Sequence, residues 1–166
     1  DCSAMMFSSL GDGNCDPACN NLACAFDNRD CPVVDITVSP LTGHDENTVT
    51  GAPFQTLSRA LHVACAGFYD CIPVYVFTNE TDNSTIDLRD KHVNLTGTGG
   101  SANNRIPGHH AYLKGDMRFS NVQGKIQHSV FSGTEPVIFD RGTSLTLMHC
   151  IVEESAQLEV LNSGIT

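Results

Sequence analysis

Beyond residue 31 the chain alternates between short apolar runs and polar turn formers. Val33 to Ser39 alternates well enough to predict a β-strand, and residues 40–53 are turn formers with no period. One amphipathic helix is predicted next, because four apolar residues recur at spacings of three, four and three: Phe54, Leu57, Leu61 and Ala64. Pro53 suits the first turn of that helix and Gly67 its end.

A series of short strands follows, and no second helix interrupts it. The predicted strands are Pro73–Thr78, Thr85–Arg89, His92–Thr96, Ala111–Lys114, Asp116–Ser120, Ile126–Phe131, Pro136–Phe139, Ser144–Val152 and Gln157–Leu161. The strand positions Leu95, Phe119, Phe131, Leu145 and Leu158 are 24, 12, 14 and 13 residues apart. This spacing fits a coiled solenoid with rungs of about 24 to 26 residues. The same density of strands also fits a β-sandwich, so periodicity alone leaves both open.

The stretch from Leu10 to Cys31 differs, because it is rich in cysteine and in oxygen-bearing side chains. It holds four of the eight cysteines, at intervals that indicate a disulfide framework. A segment of about 30 residues cannot bury enough apolar area to fold without cross-links or a metal. Zinc does not suit a site in which oxygens dominate, whereas calcium takes about six to eight oxygen ligands. The stretch therefore predicts a small calcium-binding module held by disulfides.

The phrases GDGNCD, CNN and C-x-x-D-x-x-D-C resemble the Lin-12/Notch repeat, an extracellular module with three disulfides around one calcium ion. The resemblance covers residues 2–31, and backbone carbonyls would complete the calcium shell. It implies side-chain ligands at Asp12, Asn14, Asp16, Asp27 and Asp30. The chain departs from the family twice: Asn28 and Arg29 replace the usual two glycines, and five cysteines stand where the family has six.

The resemblance implies a Cys15–Cys31 disulfide and leaves the other pairings of the module open. Cys2 pairs either with Cys24, which leaves Cys19 over, or with Cys19, which leaves Cys24 over. Outside the module, Cys65 and Cys71 flank a five-residue segment, which indicates a local disulfide.

Composition places the protein outside the cell. The length of 166 residues allows a module at 1–32 and one ordinary domain at 33–166. Eight cysteines indicate an oxidising compartment, and three glycosylation sequons agree with secretion or exposure at the cell surface: Asn79, Asn83 and Asn94. A net charge of −10 argues against nucleic acid as a partner, and no apolar run reaches the ~20 residues of a membrane span.

A second resemblance concerns residues 33–166. The helix phrase with Pro53, Phe54, Thr56 and Leu57, followed by the phrase Val93, Leu95 and Gly97, resembles the amino-terminal entry of the pectin-lyase-like superfamily. That resemblance implies a mostly β fold, a right-handed parallel β-helix with an N-terminal capping helix. At the carboxyl end the sequence LEVLNSGIT offers no comparable cover for the last rung, so we expect either more chain beyond Thr166 or another subunit there.

No catalytic constellation is recognised in the sequence. The acidic residues Asp116, Asp140, Glu153 and Glu154 lie outside the phrases that hydrolases of this fold use, and we interpret them as solvated turns. Adjacent His109 and His110 point in different directions and make poor joint metal ligands. Cys150, in an apolar run, is interpreted as a buried thiol or an odd disulfide partner.

These observations predict a secreted or cell-surface glycoprotein with a structural or adhesive role, such as a subunit of an extracellular filament or coat. Its expected partners are other extracellular proteins, copies of itself, or glycans. The alternative function is a carbohydrate-binding or polysaccharide-cleaving β-helix domain, which rests on fold analogy. A third option, a regulatory ectodomain, would need neighbouring repeats and a membrane anchor.

Overall fold

The structure, a computed structural model, describes most of the chain. The described residues are 11–16, 19, 25–28, 30–31, 35–47, 52–65, 70–76, 85–98, 100–101, 104–105, 110–154, 156–161 and 164–166. They are mostly β, with two helices, α1 (Ala25–Asn28) and α2 (Leu57–Ala64). No helix in these ranges is long and apolar enough to cross a membrane.

Among the described residues, the strands form three parallel sheets and one short antiparallel pair. The strands are β1 (Ile36–Val38), β2 (Val74–Val76), β3 (Ile86–Arg89), β4 (His92–Gly97), β5 (Gly100–Ser101), β6 (Asn104–Arg105), β7 (Ala111–Leu113), β8 (Met117–Ser120), β9 (Gln123–Gln127), β10 (Ser129–Phe131), β11 (Pro136–Phe139), β12 (Ser144–Met148), β13 (Ile151–Val152), β14 (Gln157–Val160) and β15 (Gly164–Ile165). The six-stranded sheet has the order β1-β2-β4-β9-β12-β15, the four-stranded sheet β14-β11-β8-β3, and the three-stranded sheet β13-β10-β7. β5 and β6 pair antiparallel.

The chain visits the three parallel sheets in a fixed order. Strands β8, β9 and β10 lie in the four-, six- and three-stranded sheets, and β11, β12 and β13 repeat that order. Paired residues Met117, Val137 and Leu158 are therefore 20 and 21 residues apart along the chain. This spacing is shorter than the predicted 24 to 26 residues. The preceding passage of the chain through the three sheets is longer, because β5 and β6 lie between the paired residues Leu95 and Ile126.

Constant register stacks apolar side chains into columns that form the core. In the six-stranded sheet one column runs through adjacent strands: Ile36, Val74, Leu95, Ile126 and Leu147. In the four-stranded sheet Phe119 stacks on Phe139 with ring centroids 5.3 Å apart. Each fully buried side chain of this size contributes about 1.5 to 3 kcal/mol by leaving water, so these columns are the main source of stability.

Two predicted strands are each interrupted, one at His128 and the other at His149 and Cys150. His128 separates β9 from β10 and His149 lies between β12 and β13, with φ angles of 49° and 52°. A φ near 50° takes the backbone of a residue other than glycine out of the extended conformation, so the chain turns there into the next sheet. The backbone N–H of His128 donates to the Met148 carbonyl at 3.0 Å, which keeps successive passes bonded at the corner.

The predicted helix is present but begins later than expected. Thr56 has extended backbone angles and caps the helix, with its hydroxyl oxygen accepting from the Arg59 N–H at 3.1 Å. Phe54 therefore lies outside α2 and instead pairs with β1: its N–H donates to the Thr37 carbonyl at 2.8 Å. The buried face of α2 packs against β1 and β2, whereas the predicted end at Gly67 lies outside the described residues.

Asp45 holds the start of α2 against the preceding loop. Its carboxylate accepts hydrogen bonds from the backbone N–H of Gln55 and Thr56 at 3.0 and 2.8 Å, and from the Thr56 hydroxyl at 2.7 Å. The first N–H groups of a helix region have no helical partner, so one loop carboxylate satisfies several donors at once.

Gly97 lies close to the backbone of His128 and Ala111. This close packing leads to a prediction about stability. A Cβ at this buried position would lie against the His128 carbonyl oxygen and 2.7 Å from the Ala111 nitrogen, both of them backbone atoms. We expect Gly97→Ala to lower the free energy of unfolding by about 3 kcal/mol, because backbone must shift to admit the methyl group. Urea unfolding followed by circular dichroism measures this.

The matched control is Gly164→Ala in β15, where the nearest atom to an added Cβ is the Ser144 hydroxyl oxygen at 3.9 Å. That variant should stay within about 0.5 kcal/mol of the parent protein. Equal stabilities of the two variants would contradict the packing described here.

Candidate metal centre

Short hydrogen bonds fold the acidic loop of the cysteine-rich module back on itself. Gly11 and Gly13 have φ angles of 77° and 91°, which only glycine adopts easily. Between them, Asp12 accepts from the backbone N–H of Asn14 at 2.8 Å. The N–H of Gly13 donates to the Asp30 carboxylate at 2.6 Å and thereby joins the two ends of the module.

Asp27 is the central side chain of this arrangement. It is 0% exposed, and one carboxylate oxygen, Oδ2, accepts from the Asp16 N–H at 2.6 Å. The other oxygen, Oδ1, is buried and has no hydrogen-bond partner among the described residues. An ionised carboxylate in such a place is costly unless a donor or a cation meets it. Oδ1 of Asp27 is therefore the atom in the module best suited to a cation.

Backbone bonds and a disulfide hold Asp27 in place. The N–H of Asp27 donates to the Cys19 carbonyl at 3.0 Å, and the Asp30 N–H donates to the Asp27 carbonyl at 3.0 Å. Cys15 and Cys31 form a disulfide with their Cα atoms 4.3 Å apart. Closing a loop of this length stabilises the folded state by about 3 kcal/mol in the chain-entropy account.

Two further residues of the module bear on the sequence predictions. Asn28 adopts a φ of 51° and its side-chain amide lies against Gly11, so asparagine meets the backbone requirement that glycine meets in the family pattern. Arg29 lies outside the described residues, as do Cys2 and Cys24.

Cys19 corrects one disulfide prediction. It was one of the expected disulfide cysteines, but in the structure it is a buried thiol. Burial raises the pKa of the Cys19 thiol, and the nearby negative charges of Asp16 and Asp27 raise it further.

The five predicted calcium ligands do not form a cluster of acids alone. Among the described residues, no three histidine, cysteine, aspartate or glutamate side chains are close enough to hold a metal ion. The carboxylates of Asp12, Asp27 and Asp30 each accept a backbone N–H instead. A bound calcium ion would therefore need Asp27 Oδ1 together with carbonyl oxygens, which are ligands that calcium commonly takes.

The other predicted site residues are spread over the β domain. Cys65 and Cys71 form a disulfide between the end of α2 and the entry to β2. Asn94 is half-buried on β4 and pairs with Lys125, while Asn79 and Asn83 lie outside the described residues. Asp116 precedes β8, and Asp140 follows β11 and accepts from the Arg141 N–H at 2.7 Å. Glu153 and Glu154 follow β13.

The structure also shows a histidine column that the sequence analysis missed. The rings of His128 and His149 stack with centroids 4.9 Å apart, and His110 meets His128 edge to face at 6.0 Å. His110 was considered with His109, its sequence neighbour, which lies outside the described residues. Only the register of successive passes brings His110, His128 and His149 together, so no local pattern could reveal the column.

Comparisons with known proteins assign the module. Residues 2–32 match the family model described as "Notch: LNR domain". Neither the curated proteins nor the solved structures contain a match to the chain. The amino-terminal part is thus an LNR domain, a class of extracellular module that binds calcium in general. Disulfide bonds, predicted from the cysteine spacing, are confirmed.

Cys150 provides a test of side-chain burial. Its sulfur lies 3.4 Å from the Ile126 carbonyl oxygen, and burial raises the pKa of the Cys150 thiol. Because the thiolate is the reactive form, iodoacetamide should alkylate Cys150 at pH 8 about tenfold more slowly in the folded protein than in urea. Peptide mapping by mass spectrometry measures both rates. Equal rates in the two states would show that Cys150 is exposed.

Proposed function

We propose that the chain is a secreted or cell-surface glycoprotein with a structural or adhesive role. It joins a calcium-stabilised LNR module, residues 1–32, to a right-handed parallel β-helix, residues 33–166, with α2 as its amino-terminal cap. The observation that carries this proposal is the repeated order of β8 to β10 and β11 to β13 through three parallel sheets. A chain that coils in this way makes a stiff body with long lateral faces, which suits a scaffold.

Capping by α2 supports the β-helix assignment. β1 is the first strand of the six-stranded sheet, and the buried side chains of α2, such as Leu57 and Leu61, pack on β1 and β2. An uncovered first strand would expose backbone groups that pair readily with other chains. The helix removes that hazard at one end of the domain.

Calcium binding by this LNR module is supported by the buried, unpartnered Oδ1 of Asp27. When bound, calcium would supply the positive charge that a buried carboxylate requires and would tie Asp27 to neighbouring oxygens. The other predicted ligands, Asp12, Asn14, Asp16 and Asp30, lie in the same hydrogen-bonded loop, and the remaining calcium ligands would be carbonyl oxygens.

Replacing Asp27 tests the calcium site. We expect Asp27→Asn to weaken calcium binding about 100-fold, equivalent to about 2.7 kcal/mol, because the amide keeps the shape but removes the charge. Isothermal titration calorimetry on the whole chain measures the affinity. Asp116→Asn, an exposed carboxylate before β8, is the control and should bind like the parent. A parent protein that binds no calcium, or a variant that binds equally, would refute the site.

Self-association is the structural role that the surface favours. Large apolar side chains on consecutive strands are exposed: Ile151 by 50%, Val152 by 43% and Val160 by 47%. Exposed apolar side chains of this size are available for contact with another molecule. A contact between different faces of two copies would propagate and build a filament or coat.

The assembly proposal is tested by sedimentation velocity and electron microscopy at increasing protein concentration with calcium present. We expect Ile151→Lys to weaken association at least about tenfold, because the interface would bury an unpaired charge. Leu41→Lys is the matched control, since Leu41 is also apolar and 89% exposed but lies on a loop before α2. Monomeric parent protein at all concentrations would refute self-assembly.

The alternative function is carbohydrate binding or cleavage. One observation favours it: Tyr75, Thr96 and Gln127 are in register on neighbouring strands, half-buried, and offer an aromatic ring beside polar groups. Turnover of a polysaccharide that is lost on Asp140→Asn would favour this alternative over the structural role.

A further inference from the structure

Three successive passes of the chain place a histidine at the same corner of the β domain. The backbone N–H of His128 donates to the Met148 carbonyl at 3.0 Å, and the His128 carbonyl accepts from the Ala111 N–H, also at 3.0 Å. Met148 directly precedes His149, and Ala111 directly follows His110. The backbone bonds between passes therefore bring the three histidines side by side, although they are far apart in the sequence.

Two of these histidines, His128 and His149, form a parallel pair of rings. Their φ angles are 49° and 52°, so the backbone has the same conformation at both corners. The ring planes are 11° apart and the centroids are 4.9 Å apart, which is about the distance between neighbouring strands of a sheet. The ring of His110 is turned away from this pair, since it meets His128 edge to face at 6.0 Å. The spacing of the pair is thus set by the backbone of the fold.

The ring nitrogens of the pair are available to a ligand. His149 is exposed and His128 is half-buried, and within the described part of the chain no hydrogen bond or ion pair uses a ring nitrogen of either residue. His92 differs, because its Nδ1 lies 3.0 Å from the Asp70 carboxylate. A neutral imidazole carries one nitrogen lone pair that can bind a metal ion. His128 and His149 therefore offer two such nitrogens on neighbouring passes.

The ring spacing suits a single metal ion bound by both side chains. Two nitrogens that bind one ion at about 2.0 to 2.1 Å, with an angle of about 90 to 110° between the bonds, lie about 3 to 3.5 Å apart. Rings with centroids 4.9 Å apart reach that distance by tilting toward each other, and exposed side chains rotate readily. Within the described ranges no third histidine, cysteine or acidic side chain completes a group of three, so water would fill the remaining positions.

We propose that His128 and His149 together bind one divalent transition-metal ion of the Ni²⁺, Cu²⁺ or Zn²⁺ class. Imidazole nitrogen suits these ions, whereas calcium and magnesium prefer oxygen, so the site is chemically distinct from the candidate calcium site at Asp27. The ion joins two consecutive passes of the chain at the corner between the six- and three-stranded sheets. The net charge of −10 attracts cations to the protein as a whole. This proposal is independent of the structural role.

The test is isothermal titration calorimetry of the whole chain with Ni²⁺, in excess calcium so that calcium competes for oxygen ligands. We expect a Kd on the order of 10 µM for the parent protein, and His128→Asn and His149→Asn should each weaken binding at least about tenfold, because one imidazole is lost. Asparagine tolerates the positive φ of both positions, so the variants keep the fold. His62→Gln is the matched control, since it removes an exposed histidine from α2 and should leave the affinity unchanged.

A second measurement needs no substitution. Ni²⁺ bound by imidazoles and water is paramagnetic, so in NMR spectra of the parent protein it should broaden the ring signals of His128 and His149 before those of His62 and His92. The proposal is overturned if the parent protein binds no Ni²⁺ below about 1 mM, if His62→Gln weakens binding as much as His149→Asn, or if the signals of His62 or His92 broaden first.

Discussion

Parallel pairing at constant register is the constraint on which the β domain depends. Each pass of the chain donates and accepts backbone hydrogen bonds with the next, so corresponding residues of successive passes, 20 or 21 positions apart from β8 to β11 and from β11 to β14, must lie side by side. Similar side chains then stack in columns, as Phe119 does on Phe139 and His128 on His149. The corners obey the same rule: Asp90 and Asn121 both have positive φ, and the Asn121 amide donates to the Asp90 carboxylate at 2.7 Å.

The LNR module is stabilised by different interactions, because a segment of its size has no core to bury. Backbone N–H groups that would bond to other backbone in a sheet bond here to the carboxylates of Asp12, Asp27 and Asp30. Such bonds concentrate negative charge, which a disulfide alone does not neutralise. The same arrangement that shapes the loop therefore places carboxylates where the proposed calcium ion would stabilise them.

Sequence patterns predicted the existence of most elements but not the geometry that joins them. Alternation identified the strands around Val93 and Leu95, and the 3.6-residue period identified α2, because both signals are local. The corner at His128 escaped detection, because the segment Ile126–Phe131 contains no glycine, proline, asparagine or aspartate to mark a turn. Phe54 fits the 3.6-residue period of the helix, but its backbone is hydrogen-bonded to β1, so it lies outside α2. In the module, motif identified the acidic residues, whereas only folded geometry distinguishes Asp27 Oδ1 from the other oxygens.

The two first strands of neighbouring sheets show how the fold treats an open edge. At β1, the edge is met by backbone: Phe54 accepts from the Ser39 N–H at 2.9 Å and donates to the Thr37 carbonyl at 2.8 Å. At β3, the outer backbone groups face a recess instead. Side chains of α2 form its opposite wall, and apolar and charged side chains line it. Proteins usually protect strand edges by pairing, covering or charging them. β1 is paired and covered, whereas in the described part of the chain the edge of β3 is bordered by charged side chains, Asp87, Arg89 and Lys91, and charge is one of the means by which strand edges are kept from pairing.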